Sequence, residues 1–443
     1  MSLEELKNVV RKSGVVGAGG AGFPSYAKMT DKADTVILNC VECEPLLKLH
    51  RQLLAMHTNE IVRMLDEVRE TFGAKEAVIG IKSEYTETVN ALKEVLGDYP
   101  NVRIHELKAA YPMGDEVVLI YEVTGRVISP GGLPIDENVV VYNVETMYNM
   151  YCGKYENRPV TDKLVSIVGE IDTPRTLRLP LGMKVGDAVK AAGNLTTKEP
   201  AYLMGGPMMG KFGTENTVIT KTTNAIIILP KDHKLVLSAN KDLKIEKRRA
   251  SSACCQCRTC TDLCSRHVLG HPIEPHRIMR AVANSDTDDL VAFIGALYCS
   301  GCGICEKYAC PQGLSPRTLI QEFKGALRAG GIKPEKVDPA PVVSGREERK
   351  VPVHRLAHRL GLYPYDKDAP IDDTPVQAER VEIPLSQHIG APAKAVVKPG
   401  DKVSKGQMIG EAAEGLSVNI HCSIDGVVEA VNDKSITVRN SRN

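Results

Sequence analysis

The sequence predicts a multidomain protein that begins with an α/β domain and ends with an all-β module. Strand and helix patterns alternate over roughly the first third of the chain, which is typical of an α/β layer domain. Farther along, eight cysteines fall in two short runs on helical stretches, and the chain closes in short strands separated by glycines. We expect five regions, with bounds at 1–158, 159–244, 245–330, 331–378 and 379–443.

The first region is predicted from its alternating patterns. Leu3, Leu6, Val9 and Val10 share one side of a helix over 3–12. A glycine-rich loop over 14–28 comes next. Beyond the loop we expect strands at 35–39 and 77–81, and helices at about 46–71 and 84–96.

A smaller module follows from residue 163. Strand patterns at 163–171 and 176–182 precede a short helix at 185–194. This arrangement resembles a β-grasp module of the soluble-ligand-binding (SLBB) type, and the GGPMMG turn at 205–210 belongs to the same stretch.

The second half of the chain has three parts. The cysteine-rich region 245–330 is predicted to be helical and ferredoxin-like. Residues 331–378 are rich in proline and charge, so we expect a linker with one short helix at 353–361. From residue 381 onward, glycine-punctuated strands predict a barrel-sandwich-like β module.

The charge balance, the apolar runs and the cysteine count indicate which partners and which compartment to expect. The chain has 56 Lys plus Arg and 55 Asp plus Glu, a balance that gives no reason to expect nucleic acid or an anionic membrane surface. No apolar run reaches the roughly 20 residues that span a bilayer, and the start does not resemble an export signal. Thirteen cysteines in such a chain indicate a cytoplasmic, reducing environment and metal ligation rather than disulfides.

Two cysteine runs carry the clearest chemistry. Their spacings are C-x2-C-x2-C-x3-C and C-x2-C-x2-C-x4-C-P, which favour two [4Fe-4S] clusters over zinc ribbons built from paired knuckles. In two-cluster ferredoxins the fourth cysteine of each run ligates the other cluster, so Cys310 would complete the first site and Cys264 the second. The predicted ligands are Cys254, Cys257, Cys260 and Cys264 in the first run, and Cys299, Cys302, Cys305 and Cys310 in the second.

The glycine-rich loop reads GVVGAGGAGFPSYAK. Gly17, Gly19 and Gly22 match G-x-G-x-x-G, but the loop follows a helix pattern and Phe23-Pro24 interrupts any following helix, unlike a Rossmann turn. Such a glycine-rich stretch favours the close approach of a flat or phosphorylated ligand to bare backbone. A ligand-free turn is the alternative.

Four short segments, taken in their order along the chain, resemble the same known flavin site. GAGGAGFP with Lys28, NCVECEP at 39–45, YPMGDE at 111–116 and NVET at 143–146 resemble the flavin mononucleotide (FMN) site of the NADH-oxidising subunit of respiratory complex I. The same pattern occurs in the C subunit of Rnf complexes. Any one of these carboxylates or lysines alone would be read as a solvated surface charge, so the order of the segments carries the inference.

The resemblance implies a role for each matching residue. The loop backbone at Gly17, Gly19, Gly20 and Gly22 would approach the flavin and its phosphate, and Lys28 would face the phosphate. Phe23 would stack on the nicotinamide, with Glu44 and Glu116 holding NADH. The remaining residues that would bind or line the flavin site are Asn39, Glu42, Tyr111, Gly114, Asn143 and Thr146.

Domain order narrows the resemblance. In membrane Rnf C subunits a barrel-like module precedes the flavin domain, whereas here it comes last, an order similar to the cobalamin reductases of propanediol-utilising microcompartments. That resemblance implies a corrinoid acceptor, a corrinoid-handling partner such as an adenosyltransferase, contact with shell proteins, and a place inside a microcompartment.

Two other readings stay open at this point. The chain resembles an NADH-input subunit of an Rnf-type complex or of a partner reductase, and a flavin-free iron–sulfur carrier is a further alternative. The final module also resembles lipoyl and biotinyl domains, but its hairpin at 414–420 has no lysine, so we expect no swinging prosthetic group.

Overall fold

The computed structural model describes residues 1–286 and 288–441, and its first region is a parallel sheet covered by helices. The strands are β1 (Thr35–Cys40), β2 (Glu76–Lys82), β3 (Val102–Leu107), β4 (Ala110–Tyr111) and β5 (Val139–Asn143). The parallel strands lie in the order β3-β2-β1-β5. Strands β1 and β2 are buried along nearly their whole length, because helices cover both faces of the sheet.

Helices follow the strands as the alternating pattern predicts. They are α1 (Leu3–Lys12), α2 (Leu49–Met56), α3 (Thr58–Phe72), α4 (Thr86–Val95), α5 (Glu116–Thr124) and α6 (Val144–Tyr155). Helix α1 begins at a capping box in which Ser2 and Glu5 satisfy each other's backbone N–H groups. Helices α5 and α6 begin at the side chains of Asp115 and Asn143, which accept N–H groups of the first turn.

The prediction of one helix over 46–71 is wrong, because the structure has two helices there. The backbone at His57 leaves the helical region, with φ −126° and ψ 41°, and the hydroxyl of Thr58 donates to the carbonyl of Leu54 at 2.8 Å. The apolar periodicity runs through this break, so the sequence pattern does not reveal it.

The β-grasp module forms a mixed sheet. Its elements are β6 (Asp162–Gly169), β7 (Arg175–Pro180), α7 (Val185–Ala192), β8 (Pro200–Met204), β9 (Lys211–Gly213) and β10 (Ala225–Pro230). The order is β7-β6-β10-β8-β9, with β6 and β10 parallel at the centre. The predicted β-grasp elements are therefore present.

The cysteine-rich region is helical, as predicted. Helix α8 (Lys234–Ala239) precedes it, and its own helices are α9 (Leu243–Ala253), which begins two residues before the expected bound, α10 (Thr259–Asp262), α11 (Pro275–Asn284), α12 (Leu290–Gly295) and α13 (Pro316–Ala329). A π-helical turn, Cys305–Ala309, lies within the second cysteine run. Such turns are rare and often occur at functional sites.

The segment predicted as a linker, 331–378, contains more than its one short helix. Helix α14 (Val353–Arg359) is present, and β11 (Val351–Pro352) just before it pairs with β4 of the first region. Strand β12 (Ile371–Pro375) extends the β-grasp sheet beside β7. The two strands were not predicted because they are short, proline-containing edge strands without apolar alternation.

The final module is all-β and packs on the β-grasp module. Its strands are β13 (Arg380–Pro384), β14 (Lys394–Ala395), β15 (Lys402–Val403), β16 (Met408–Glu411), β17 (Ile420–His421), β18 (Gly426–Val431) and β19 (Ser435–Asn440). They form two sheets, β13-β19-β18-β15 and β14-β16-β17. Leu179 and Ile228 of the β-grasp sheet share one apolar core with Ile383, Ile409 and Ile436. Within the described parts of the chain, no helix has the length and apolar character needed to cross a membrane.

Candidate functional site

The glycine-rich loop lies beside the start of α6, at the carboxyl end of β5. Within the loop, the N–H of Gly17 donates to the carbonyl of Phe23 at 2.9 Å. Thr146 ties the loop to α6, since its hydroxyl accepts the N–H of Ala18 at 3.0 Å and donates to the carbonyl of Val16 at 3.3 Å. Ligands of open α/β sheets bind at this carboxyl end.

Three of the loop glycines differ in their surroundings. A Cβ on Gly19 would lie 2.6 Å from the side-chain nitrogen of Asn143, so a glycine is needed for this close approach. Gly20 is exposed, with no heavy atom within 4 Å of such a Cβ. Gly22 has a φ of +74° and accepts the N–H of Ile389 from the final module at 3.1 Å. The loop is thus anchored on both sides and leaves bare backbone open at Gly20, which fits the approach of a flavin phosphate.

Asn39 and Gly114 lock two neighbouring loops together. The side-chain amide of Asn39, near the end of β1, donates to the carbonyl of Gly114 at 3.0 Å and accepts the N–H of Val41 at 3.0 Å. A Cβ on Gly114 would lie 2.3 Å from the carbonyl oxygen of Val41, so only glycine fits there. These contacts hold the end of β1 against the 111–116 segment.

Lys28 and Glu116 form an ion pair. Lys28 Nζ lies 2.7 Å from Glu116 Oε1, and the two side chains are 33% and 37% exposed. Lys28 Nζ also lies 3.4 Å from the carbonyl oxygen of Val141 in β5. A phosphate at Lys28 would have to compete with this carboxylate, which is accessible enough to move.

The carboxylate of Glu42 is engaged by α2. It accepts the N–H groups of His50 at 2.8 Å and Arg51 at 3.2 Å, and it is buried. The ring nitrogen Nδ1 of His50 lies 3.3 Å from the side-chain amide of Asn143. Glu42 therefore borders the candidate flavin site through His50, a residue the sequence reasoning missed because no motif marks it.

Glu145, also missed, joins α6 to the β-grasp module. Its buried carboxylate pairs with Lys163 of β6. Burial opposes ionisation, but the charge of Lys163 and the neighbouring His50 lower the pKa of Glu145 below its ordinary value. A glutamate inside the NVET motif was the available signal.

Two residues predicted for the flavin and NADH site reach other modules. Glu44 accepts the N–H groups of Met208 at 2.7 Å and Met209 at 3.0 Å, both in the GGPMMG turn. Burial raises the pKa of Glu44 to about 7 despite these donors. The buried hydroxyl of Tyr111 donates to the carbonyl of Cys302 at 2.7 Å.

The eight cysteines line two separate cavities with a crossed arrangement. Cys310 of the second run lies in the cavity of the first, and Cys264 of the first run lies in the cavity of the second. One cavity is lined by the predicted ligands Cys254, Cys257, Cys260 and Cys310 together with Cys255, and the other by Cys264, Cys299, Cys302 and Cys305. This is the pairing that two-cluster ferredoxins use.

Hydrogen-bond donors reach the sulfurs of Cys254 and Cys299, and such bonds tune the reduction potential of an iron–sulfur cluster. Gln256 donates to Cys254 Sγ at 3.2 Å, and the N–H of Gly301 donates to Cys299 Sγ at 3.3 Å. Gln321 also donates to Cys299 Sγ, at 3.4 Å. In the described residues, no three His, Cys, Asp or Glu side chains converge on a position for a single metal ion. Four predicted cysteine ligands line each cavity, which is the number that a [4Fe-4S] cluster takes.

The two cavities differ in exposure and in their neighbours. Cys255, Gln256 and Cys257 are exposed at the first cavity. The second is joined to the first region through Tyr111 and through Asp115, whose carboxylate lies 2.9 Å from the Arg266 guanidinium. Neither Asp115 nor Arg266 was predicted as a site residue, although an aspartate before a helix is a recognisable cap signal.

Four family descriptions match successive parts of the chain. Together with the fold, they define a flavin and iron–sulfur oxidoreductase. Residues 10–152 match the Nuo51 FMN-binding domain, 164–212 the SLBB domain, 253–315 the 4Fe-4S dicluster domain and 361–442 the RnfC barrel sandwich hybrid domain.

Relatives that are similar over the full length of the chain identify its family within the flavin and iron–sulfur oxidoreductases. The cobalamin reductase PduS of Salmonella typhimurium strain LT2 is 39% identical over 441 residues, which cover 99% of this chain and 97% of the relative. The cobalamin reductase PduS of Citrobacter freundii is 37% identical over 443 residues, covering 98% and 96%. The chain therefore belongs to the PduS family.

A solved structure is similar in fold. It is a chain of an NAD+-reducing [NiFe]-hydrogenase in the H2-reduced state, with a TM-score of 0.50 and 19% sequence identity. The similarity covers 78% of this chain and 65% of that chain. At this identity the likeness concerns the fold alone.

Proposed function

We propose that the chain is an NADH-dependent reductase that passes single electrons through FMN and two [4Fe-4S] clusters to a corrinoid, cob(III)alamin or cob(II)alamin. One observation carries the proposal: the domain with the glycine-rich loop is hydrogen-bonded directly to the second cysteine cavity. Tyr111 reaches the carbonyl of Cys302 at 2.7 Å, and Asp115 pairs with Arg266, two residues after Cys264. A flavin site and an iron–sulfur site built into one rigid contact suit electron transfer.

The chain's own residues would hold each group. The loop amides and Lys28 would bind the FMN phosphate, and Asn39, Asn143 and Thr146 would hydrogen-bond the flavin. When bound, FMN takes a hydride from NADH and releases electrons singly, and iron–sulfur clusters carry single electrons. Phe23 would contact the nicotinamide, and Glu116 would bind NADH once its ion pair with Lys28 opens.

Exposure supports an order for the two cysteine sites. Tyr111 is hydrogen-bonded to Cys302, which lines the second cavity, whereas the first cavity is lined by the exposed residues Cys255, Gln256 and Cys257. Electrons would therefore enter at the site of Cys299, Cys302, Cys305 and Cys264, and leave from the site of Cys254. The exposed edge gives an acceptor access to the last site.

Both relatives are cobalamin reductases by name, which supports a corrinoid as the acceptor. The resemblance in domain order supports a corrinoid-handling partner such as an adenosyltransferase, contact with shell proteins, and a cytoplasmic place inside a microcompartment. Co-encapsulation of the tagged chain with shell proteins tests the location. A chain that stays outside purified compartments would contradict it.

An anaerobic spectroscopic experiment tests the electron path. NADH added to the loaded protein should bleach the flavin absorbance, and cob(III)alamin added afterwards should be reduced while the flavin absorbance returns. Lys28→Met should weaken flavin binding, and Lys32→Met, at an exposed position beyond the loop, serves as its control. If bound flavin is not bleached by NADH, the NADH-dependent reductase assignment fails. If the purified protein takes up no flavin, a flavin-free iron–sulfur carrier is favoured.

The match of residues 361–442 to the RnfC barrel sandwich hybrid domain favours a second candidate, an NADH-input subunit of an Rnf-type complex or of a partner reductase. The same experiment separates the two. An input subunit would show NADH-driven bleaching without reduction of free cob(III)alamin, and corrinoid reduction would appear only when a partner protein is added.

A further inference from the structure

The GGPMMG turn, residues 205–210, joins β8 to β9 of the β-grasp module. Gly205 has a φ of +88°, and its N–H donates to the carbonyl of Ala225 at 2.8 Å. The turn is closed by the N–H of Gly210, which donates to the carbonyl of Gly206 at 2.8 Å. Its tip lies between the first region and the cysteine-rich region.

On the side of the first region, a carboxylate grips the turn. Both oxygens of Glu44 are engaged, one by the N–H of Met208 at 2.7 Å and the other by the N–H of Met209 at 3.0 Å. A Cβ on Gly206 would lie 2.3 Å from the carboxyl carbon of Glu44, so glycine makes room for this contact. Charge-assisted bonds of this kind are stronger than neutral ones.

On the side of the cysteine-rich region, two cationic side chains donate to the carbonyl oxygens of the same peptide groups whose N–H groups bind Glu44. Lys307 Nζ donates to the carbonyls of Pro207 at 2.8 Å and Met208 at 2.9 Å. The guanidinium of Arg317 donates to the Met208 carbonyl at 3.2 Å. Lys307 lies in the π-helical turn that begins at Cys305, a predicted cluster ligand.

The side chain of Met208 completes the connection. It is fully buried, and its methyl carbon would lie 3.6 Å from a Cβ on Gly303, between Cys302 and Cys305. One turn therefore presents N–H groups to an anion beside the candidate flavin site. It presents carbonyls to cations beside the second cysteine site.

We propose that the 205–210 turn sets the separation and orientation of the flavin site and the second cysteine site, with Glu44 and Lys307 as positioning residues. The β-grasp module then holds the flavin site and the second cysteine site in a defined relative position. Its 205–210 turn binds Glu44 on one side and Lys307 on the other. The proposal rests on the proposed function, because it concerns transfer between those two sites. It differs from the role in NADH binding that the family resemblance implies for Glu44.

The first experiment measures whether Glu44 protects the backbone amides of the 205–210 turn. In wild-type protein the amides of Met208 and Met209 should be protected from hydrogen–deuterium exchange, and Glu44→Gln should accelerate exchange in a peptide covering 206–210. Lys211→Ala, at an exposed position next to the turn, should leave that exchange unchanged. Equal protection in wild type and Glu44→Gln would overturn the proposal.

The second experiment separates the two steps of the electron path. After anaerobic rapid mixing with NADH, Glu44→Gln should bleach flavin at a rate near that of wild type. Cluster reduction, followed by freeze-quench electron paramagnetic resonance, should slow by about tenfold, since small misplacements have large kinetic costs. If the variant instead slows flavin bleaching and leaves the later step unchanged, Glu44 belongs to the NADH site and the proposal fails.

Two further measurements make the outcome decisive. Photochemical reduction of the bound flavin starts the second step without NADH, so a failure of the NADH assignment is visible separately from a failure of the proposed positioning. Gly206→Ala perturbs the same contact from the β-grasp side, and it should slow the second step as Glu44→Gln does. If Glu44→Gln does not take up its clusters, the test rests on Gly206→Ala. Cluster reduction at the wild-type rate in Gly206→Ala would then overturn the proposal.

Discussion

The buried hydroxyl of Tyr111 donates a 2.7 Å hydrogen bond to the backbone carbonyl of Cys302, and so connects the first region to the second cysteine run. Tyr111 lies in β4, which pairs with β11 from the segment after the cysteine region. A single tyrosine thus joins three parts of the chain that are far apart in sequence.

Removing this hydroxyl should weaken the contact without a large change of volume. Tyr111→Phe should lower the free energy of unfolding by about 1–3 kcal/mol, because a buried carbonyl loses its donor. Anaerobic urea unfolding of the loaded protein measures the change, and Tyr363→Phe, where the tyrosine is 61% exposed, is the matched control. An equal stability of Tyr111→Phe and wild type would show that water replaces the hydroxyl.

The crossed cysteine arrangement predicts which site each substitution damages. Cys264→Ser should disturb the site of Cys299, Cys302 and Cys305, because Cys264 lines that cavity. Iron content and electron paramagnetic resonance of the remaining cluster would identify the loss. A Cys264→Ser protein that lost the site of Cys254 and kept the other would contradict the crossing.

Cys310→Ser is the reciprocal test and should disturb the site of Cys254, Cys257 and Cys260. Cys255 lies beside the same cavity but outside the x2 register, so Cys255→Ser should retain both clusters. Loss of a cluster in Cys255→Ser would place Cys255 among the ligands.

The ion pair between Lys28 and Glu116 predicts opposite effects of two neutral replacements. Lys28→Met should weaken FMN binding by about tenfold, roughly 1.4 kcal/mol, because a charged phosphate partner is lost. Glu116→Gln should retain FMN, since it frees Lys28, and should raise the KM for NADH. Flavin fluorescence titration and anaerobic bleaching measure the two effects. Weaker FMN binding in Glu116→Gln would contradict these assignments.

Lys221 predicts a dependence of stability on alkaline pH. Its amino group is buried and donates to the carbonyls of Gly14 at 2.7 Å and Asn419 at 3.2 Å. The titratable groups next to it are His388 and His421. Burial lowers the pKa of Lys221 from 10.5 to about 7. Between these values the unfolded chain binds more protons than the folded chain, so stability should rise with pH in this window.

The measurement compares wild type with Lys221→Met by urea unfolding at several pH values between 7 and 10.5. The stability of wild type relative to the variant should increase with pH across the window. The exposed Lys211→Met variant should follow wild type at every pH. A constant difference between wild type and Lys221→Met would show that Lys221 keeps its charge when buried.

Local patterns predicted much of the fold, and failed where contacts between distant segments decide structure. The strands near 35–39 and 77–81 and helix α1 follow from apolar periodicity, which acts over a few residues. The break at His57 leaves that periodicity intact, and β11 and β12 form only because β4 and β7 offer open edges. The use of Glu42 as the cap of α2 likewise depends on how the chain folds back on itself.

The sequence by itself determined the chemistry of this protein: the spacing of eight cysteines and the order of four short segments are local properties of the chain, and they point to iron–sulfur clusters and a flavin. Only the tertiary structure decided how the sites are joined. The hydrogen bond from Tyr111 to Cys302 and the hydrogen bonds of Glu44 to the 205–210 turn link residues that are far apart in sequence. Such contacts exist only after several modules have packed, because each needs partners on separate elements to be buried together.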